Sequence, residues 1–368
     1  MKIGLLTLPI ETGYGNIMQA FALKTALTNL GHEVILLRRL RKKNKYPIKR
    51  ILRRFIKKFI LQKWDTIIFI DKKEINEYPI ISQHTQKFID THLQPYSPIY
   101  LTSDEFIHVN ELGLDAIVVG SDQVWRPDYV DCIEDFYLLG ISPKIRKYSY
   151  AASFGVSTWE YNKKQTKHCQ KAIRQFIKTS VREKSGVTLC QQNLDIIPQF
   201  VLDPTLLFTK SFYQQYINQH DSNRDGKFCV FVLDRNKEKL NIINKLSAYL
   251  NTKFYYAANN TEDRSAPLNE RIAPSVSSWL DAFNSAKVIF TDSFHGCAFS
   301  IIFEKDFYVY INQGRGTDRF NSLLSLLGLE NRIITSNTDL AKIPPIDWKS
   351  VREKLDTMRK KSKEFLNL

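Results

Sequence analysis

The sequence predicts an α/β protein made of two Rossmann-like domains. The chain has 368 residues, more than a single hydrophobic core usually serves. Short apolar runs typical of buried parallel strands alternate with helical patterns on both sides of residue 208. We therefore expect an N-terminal domain over residues 1–208, a C-terminal domain over residues 209–345 and a closing basic helix over residues 346–368, with a cleft between the two domains.

The N-terminal domain opens with a strand, a loop, a helix and a second strand within about 37 residues, which is the start of a doubly wound sheet. The strands are Lys2–Leu8 and Glu33–Leu37, and the helix runs from Ile17 to Leu30 with Gly31 as its C-cap. Further predicted strands of this domain are Leu114–Val119, Lys147–Ala151, Ile177–Arg182 and Val201–Leu202.

The C-terminal domain repeats the alternation of strands and helices. The predicted strands are Phe228–Leu233, Lys253–Ala257, Val288–Thr291 and Asp306–Tyr310. The predicted helices are Glu238–Leu250, Ser277–Ser285, His295–Phe303 and Phe320–Leu327, followed by the basic helix Lys349–Phe365.

A segment from about residue 38 to 108 interrupts the N-terminal pattern and does not read as a compact unit. Its residues 48–63 place apolar side chains at helical spacing and only Lys and Arg on the opposite face. Two interpretations stay open: the helix lies on an anionic membrane surface, or its apolar stripe packs on the protein and the basic face is solvated. Nucleic acid is not an expected partner, because the segment lacks aromatic residues interleaved for base stacking.

Charge and cysteine content limit the class of protein further. The net charge is +15, from 53 basic and 38 acidic residues, and this field attracts phosphates and other polyanions. Five cysteines with no C-x-x-C spacing argue against a disulfide framework or a zinc site and fit a reducing compartment. The first apolar run is too short for a signal peptide, and no stretch reaches 18 apolar residues. We expect a cytoplasmic protein, at the inner membrane face if the basic helix binds lipid.

Polar side chains follow several predicted strands, where ligands bind in α/β sheets. Asn16 and Gln19 follow the loop Gly13-Tyr14-Gly15, whose glycines let backbone N–H groups approach an anion or simply form a tight turn. After the strand ending at Val119 come Asp122, Gln123, Trp125 and Arg126, more polar and planar groups than an N-cap requires.

Cationic and acid–base candidates follow other strands. Arg182 either holds an anion or pairs with a carboxylate such as Glu183, and Asp203 either binds a ligand or caps a turn. His295 opens a helix in the segment Thr291–Gly296, close to Asp292, a position suited to proton transfer. Arg315 and Arg319 lie in a loop before a helix and suit a phosphate or carboxylate, or are solvated.

In their order along the chain, these segments resemble the polysaccharide pyruvyl transferases. The resemblance rests on G-Y-G-N-I-M-Q-A-F-A-L, G-S-D-Q-V-W, S-Y-A-A-S-F-G, S-V-R-E, V-L-D-P-T and T-D-S-F-H-G-C, which span residues 1 to about 335. It implies two Rossmann-like domains arranged as in the GT-B glycosyltransferases. It also implies transfer of the enolpyruvyl group of phosphoenolpyruvate to two hydroxyls of one sugar, which forms a cyclic pyruvate ketal in a polysaccharide or lipid-linked oligosaccharide.

The family signature S-x-R-F-H-G assigns roles to residues of the C-terminal domain. Phe294, His295 and Gly296 match it, Thr291 stands for the serine, and Ser293 stands where an arginine is usual. The resemblance therefore implies His295 as general acid, oriented by Asp292. The donor-binding candidates are Arg182, Ser293, Gly296, Arg315 and Arg319. The acceptor-binding candidates are Asn16, Gln19, Asp122, Gln123 and Trp125. No metal or cofactor is expected, and phosphoenolpyruvate serves as co-substrate.

Two other functions stay open at this point. A GT-B-type glycosyltransferase with a nucleotide-sugar donor would use the same cleft, with the paired arginines on a diphosphate. A non-catalytic, membrane-associated partner in a polysaccharide assembly complex is compatible with the serine at position 293.

Overall fold

The computed structural model describes residues 1–41, 55, 70–261, 263–264, 266–312 and 316–368. Its N-terminal half contains a six-stranded parallel sheet in the order β3-β2-β1-β4-β5-β6. The strands are β1 (Lys2–Leu6), β2 (Glu33–Arg39), β3 (Tyr96–Tyr100), β4 (Ala116–Val119), β5 (Arg146–Ser149) and β6 (Phe176–Lys178). The strand order reverses between β1 and β4, and in such sheets the ligand crevice lies outside the carboxyl ends of the strands at this point.

Helices cover this sheet, and a small parallel pair extends it. The helices are α1 (Tyr14–Asn29), α2 (Ile70–Ile81), α3 (Gln83–His92), α4 (Ser103–Phe106), α5 (Lys163–Ile173) and α6 (Lys184–Asn193). The pair consists of β7 (Ser180–Val181) and β8 (Gln199–Phe200). All four residues of the central strand β4 are buried, which explains why it reads as an uninterrupted apolar run rather than an alternating one.

The C-terminal half has a four-stranded parallel sheet in the order β10-β9-β11-β12. Its strands are β9 (Phe228–Phe231), β10 (Phe254–Tyr256), β11 (Val288–Thr291) and β12 (Asp306–Val309). Its helices are α7 (Lys210–Gln214), α8 (Lys237–Tyr249), α9 (Leu268–Arg271), α10 (Val276–Ser285), α11 (Phe294–Ile302) and α12 (Asp318–Leu327). Two parallel sheets with alternating strands and helices confirm the predicted fold class.

The last helix, α13 (Trp348–Phe365), returns to the N-terminal half. Its apolar stripe, which includes Val351, Leu355 and Phe365, is buried, as amphipathic spacing requires. The hydroxyl of Ser362 accepts a hydrogen bond from the Leu202 amide at 3.0 Å. The helix therefore ties the end of the chain to the first half, and its basic residues occupy the solvent side.

The segment between residues 38 and 108 is described in part. Helices α2 and α3 and the edge strand β3 lie in it and belong to the fold, and the expectation that the segment as a whole is not a compact unit stays a prediction. Phe88 of α3 packs on Phe21 of α1 with ring centroids 5.2 Å apart. The predicted basic amphipathic helix over residues 48–63 lies outside the described residues, apart from Phe55. In the described part of the chain, no helix is long and apolar enough to cross a membrane.

Candidate functional site

The strand ends of the two halves meet at a cluster of charged side chains. Asp122 follows β4, Arg182 follows β7 and Asp203 follows β8. From the other half, α11 contributes His295 in its first turn. Since the two halves are linked here by side chains from both, this cluster is the candidate site.

Arg182 is the centre of the cluster, and its side chain is only 1% exposed. Its Nη1 donates to Asp203 Oδ2 at 2.6 Å and to Ser121 Oγ at 3.3 Å. Its Nη2 donates to Asp122 Oδ1 at 3.1 Å, and its Nε donates to Glu183 Oε1 at 3.2 Å. A guanidinium carries five N–H groups, so one N–H of Nη2 stays available to a ligand after these bonds to described residues.

Burial and the Arg182 guanidinium shift the pKa values of the carboxyl groups in opposite directions. Burial raises the pKa of Asp122 and of Asp203, but the positive groups around them outweigh burial and hold both pKa values below the usual range. For Asp203 these groups are His295 and Arg182. Burial dominates at Glu183 and raises its pKa despite the contact with Arg182. Asp122 and Asp203 are therefore ionised at neutral pH.

His295 lies where the two halves touch. Its Nε2 is 3.6 Å from Asp203 Oδ2, and its side chain is 8% exposed. On the other side, the ring lies against Gly15, where an added Cβ would overlap Nδ1. Gly15 therefore provides the close approach that lets the histidine of one half contact the first turn of α1 in the other.

Phe294 brings two guanidinium groups next to this histidine. The Cζ of Arg182 is 4.8 Å from the Phe294 ring centroid and the Cζ of Arg319 is 5.7 Å from it. Burial and repulsion from Arg182 lower the pKa of Arg319. Arg182 and Arg319, two of the predicted donor-binding residues, are thus brought together. Arg315, the third arginine of that prediction, lies outside the described residues.

Asp292 does not contact His295 in this arrangement. Its carboxylate accepts hydrogen bonds from the Leu233 amide at 2.7 Å and from Lys239 Nζ at 2.5 Å. The carboxylate facing the histidine is Asp203, which corrects the expected pairing. From the sequence, Asp203 is expected either to bind a ligand or to cap a turn, because two residues 92 positions apart carry no local sign of contact.

Ser293 and Gly296 have structural functions in the first turn of α11. Ser293 is the N-cap, and its hydroxyl accepts a hydrogen bond from the Gly296 amide at 3.3 Å. Gly296 packs so closely on Thr291 that an added Cβ would overlap its hydroxyl. Both residues hold the helix that presents His295. Whether either one also contacts the donor stays a prediction.

The predicted acceptor-binding residues divide into two groups. Asp122 and Asn16 are partly exposed at the strand ends, and Asp122 adopts a left-handed φ of 74° that a non-glycine residue rarely takes outside a constrained turn. Gln123 is buried, and its Oε1 accepts a hydrogen bond from Arg126 at 3.2 Å.

Gln19 and Trp125 lie inside the N-terminal half and are fully buried. Gln19 Nε2 donates to Thr7 Oγ1 at 2.8 Å, and Trp125 Nε1 donates to the Phe136 carbonyl at 3.1 Å. Neither side chain can touch a ligand in this structure, which corrects the prediction for both. Among the described residues, no group of three or more His, Cys, Asp or Glu side chains is arranged to hold a metal ion.

Comparison with solved structures supports the fold. A glycosyltransferase from Rickettsia africae superimposes with a TM-score of 0.50 at 8% identity, covering 99% of this chain and 93% of that one. The UDP-GlcNAc 2-epimerase from Methanocaldococcus jannaschii gives a TM-score of 0.51 at 11% identity, covering 98% of this chain and 93% of that one. At such identities the likeness concerns the fold alone. No curated protein sequence matches the chain.

A family model provides the closer assignment. The model described as polysaccharide pyruvyl transferase matches residues 14–314, which include Gly15, the Arg182 network and His295. The chain therefore belongs to the polysaccharide pyruvyl transferase family.

Proposed function

We propose that this transferase moves the pyruvyl group of phosphoenolpyruvate onto two hydroxyls of one sugar in a polysaccharide or lipid-linked oligosaccharide, forming a cyclic ketal. The observation on which the proposal rests is the meeting of His295 with Arg182 and Arg319 around Phe294, at the junction of the two halves. A proton donor and two cations at one place suit a small polyanion that must be protonated on carbon.

The two arginines would bind the anionic groups of phosphoenolpyruvate. The substrate has a carboxylate and a phosphate, and guanidinium groups bind both with charge-assisted hydrogen bonds. Arg182 offers its remaining Nη2 N–H, and Arg319 lies in the first turn of α12, where the helix end also favours negative charge. Arg315, four residues before Arg319, is proposed as a third cation.

His295 would protonate the C3 methylene and leave an oxocarbenium-like centre at C2. One sugar hydroxyl then attacks C2 and loses its proton, phosphate leaves, and the second hydroxyl closes the ketal as it loses its own proton. Asp122, a carboxylate at the end of β4, is proposed to hold the acceptor and to accept a proton from it. Asn16, in the first turn of α1, is a further proposed acceptor contact.

A lipid-linked acceptor would place the enzyme at a membrane surface. We propose that the basic segment 48–63 binds anionic lipid there, because its charged side is entirely Lys and Arg. Co-sedimentation of the protein with anionic vesicles at low and moderate salt tests this part. Absence of binding even at low salt would refute it without affecting the proposed chemistry.

Incubation with phosphoenolpyruvate and a panel of glycolipid acceptors tests the function directly. Mass spectrometry should detect an acceptor that has gained one pyruvyl ketal, and a phosphate assay should detect equal release of inorganic phosphate. Thermal shift measurements separate this function from that of a nucleotide-sugar glycosyltransferase. Phosphoenolpyruvate should stabilise the protein, whereas stabilisation by nucleoside diphosphates alone, with no ketal product, would favour the glycosyltransferase and contradict the proposal.

A further inference from the structure

We infer that Asp203 is the positioning residue of His295 and that Nδ1, over Gly15, is the nitrogen that exchanges a proton with the substrate. The inference rests on the proposed function for its chemistry. Its structural part, which ring nitrogen faces the carboxylate, can be tested without any substrate.

Asp203 is held rigidly enough to orient a ring. Its Oδ1 accepts hydrogen bonds from the Thr205 amide at 3.0 Å and the Thr205 hydroxyl at 2.7 Å. Its Oδ2 accepts from Arg182 Nη1 at 2.6 Å and from Ser121 Oγ at 3.1 Å. The side chain is fully buried, so neither solvent nor another rotamer competes for its place.

The same Oδ2 faces His295 Nε2 at 3.6 Å. This separation is longer than a formed hydrogen bond, and catalytic hydrogen bonds are often long before substrate binds and shorten in the complex. Nε2 is buried and has no other hydrogen-bond partner among the described residues. A proton on Nε2 therefore has one acceptor within reach, the Asp203 carboxylate.

Nδ1 is left for the substrate. No hydrogen bond of the described residues reaches it, and it lies over the bare Cα of Gly15. In the imidazolium form, the Nε2 proton faces Asp203 and the Nδ1 proton passes to C3 of phosphoenolpyruvate. The neutral ring then keeps its proton on Nε2, and the lone pair on Nδ1 accepts the proton of the attacking hydroxyl. The proton of the second hydroxyl passes by way of the Asp122 carboxylate to the released phosphate.

Among the described residues, the charged groups of the cluster that contains this ring are Asp122, Arg182 and Asp203 from the N-terminal half, and Arg319 of α12, which lies on Phe294. Asp203 is the only one of them within ion-pair distance of an imidazole nitrogen in the described structure. Arg182 affects the ring indirectly, because it holds the Asp203 carboxylate in place.

Nitrogen-15 NMR of the histidine rings tests the assignment in the full-length protein. His295→Gln identifies the His295 signals by their loss. In wild type at alkaline pH, the neutral ring should show Nε2 protonated and Nδ1 unprotonated. The reverse tautomer would overturn the inference, and this measurement needs no second variant to fold.

The variants Asp203→Asn and Asp292→Asn then show which of the two carboxylates orients His295. Asp203→Asn should shift the His295 nitrogen signals and Asp292→Asn should not; the opposite result would return the positioning function to Asp292. Asp281→Asn is the matched control. The Asp281 carboxylate is 2.8 Å from His220 Nδ1, so this substitution should shift the His220 signals and leave the His295 signals unchanged.

Kinetics with phosphoenolpyruvate complete the test. Asp203→Asn should lower kcat by at least ~10-fold, with a smaller change in KM, because a misoriented ring still allows the substrate to bind but transfers its proton more slowly. A KM that rises as much as kcat falls would indicate a merely structural effect and contradict the inference. If wild type transfers no pyruvyl group, the proposed function fails, while the NMR result still decides which residue orients His295.

Discussion

The two halves of the molecule each bury an aspartate paired with a cation at the ends of their strands, but the two pairs are built differently. In the C-terminal half, Asp292 and Lys239 are 2.5 Å apart and almost completely buried, and they bond otherwise to nearby backbone. In the N-terminal half, Arg182 is shared among Asp122, Glu183 and Asp203, and Asp203 reaches His295 of the other half. The Asp292–Lys239 pair bonds within its own half and stabilises a loop. The Arg182 network keeps hydrogen-bond donors and acceptors that face the junction between the halves.

The strongest test of this difference is Lys239→Met. The substitution keeps the length of the side chain and leaves Asp292 buried without its cation. Removing one partner of a buried pair costs about 3–5 kcal/mol, so the free energy of unfolding in urea should fall by that amount. The double variant Lys239→Met with Asp292→Asn should recover part of the loss. Unchanged stability in the single variant would mean that the pair is not buried in solution.

Gly15→Ala tests the contact between the halves with a single added methyl group. Because that methyl overlaps His295 Nδ1, the ring must move, and a displacement of about 1 Å in a reacting group can cost ~10²-fold in turnover. The matched control is Gly13→Ala, where the nearest atom to an added Cβ is the Asn16 Cβ at 3.9 Å. Equal turnover for the two variants would contradict the placement of the ring.

Tyr14→Phe should have the smallest effect. The Tyr14 ring stacks on Trp279 with centroids 5.1 Å apart, and its hydroxyl donates to the Pro274 carbonyl at 2.7 Å. The variant keeps the stack and loses one hydrogen bond between the halves, which should cost about 1 kcal/mol of unfolding free energy in a urea titration. A loss as large as that of Lys239→Met would show that the hydroxyl, rather than the ring, holds the halves together.

The fold was predictable where a strand is buried on both faces. The run at β4, Ala116–Val119, has no polar residue, and β1 follows the same rule after Lys2, so apolar runs were sufficient to identify both strands. The edge strand β3 was not recognised because its sequence, YSPIY, contains Pro98 and exposes two of its five residues. Helix α2 contains Pro79, which also weakens a helical pattern.

The sequence was sufficient to identify the residues at the strand ends that form the candidate site, but not to predict which side chains contact one another. His295, Arg182 and Asp122 were identified from their positions after strands. That Asp203 rather than Asp292 faces His295 depends on how two separately folded sheets dock, which no local pattern encodes. Trp125 was misassigned because a tryptophan after a strand has the same sequence appearance whether it stacks on a ligand or, as here, on Tyr137 in the core with centroids 4.9 Å apart.

The most direct measurement of the central claim is the turnover of His295→Ala with phosphoenolpyruvate and an acceptor that wild type converts. His108→Ala is the control, since His108 is exposed and pairs with Glu111 three residues away. Loss of a general acid predicts a fall in turnover of at least ~10²-fold for His295→Ala, with His108→Ala unchanged. Wild-type turnover in His295→Ala would contradict the account, because the proton would then come from another group.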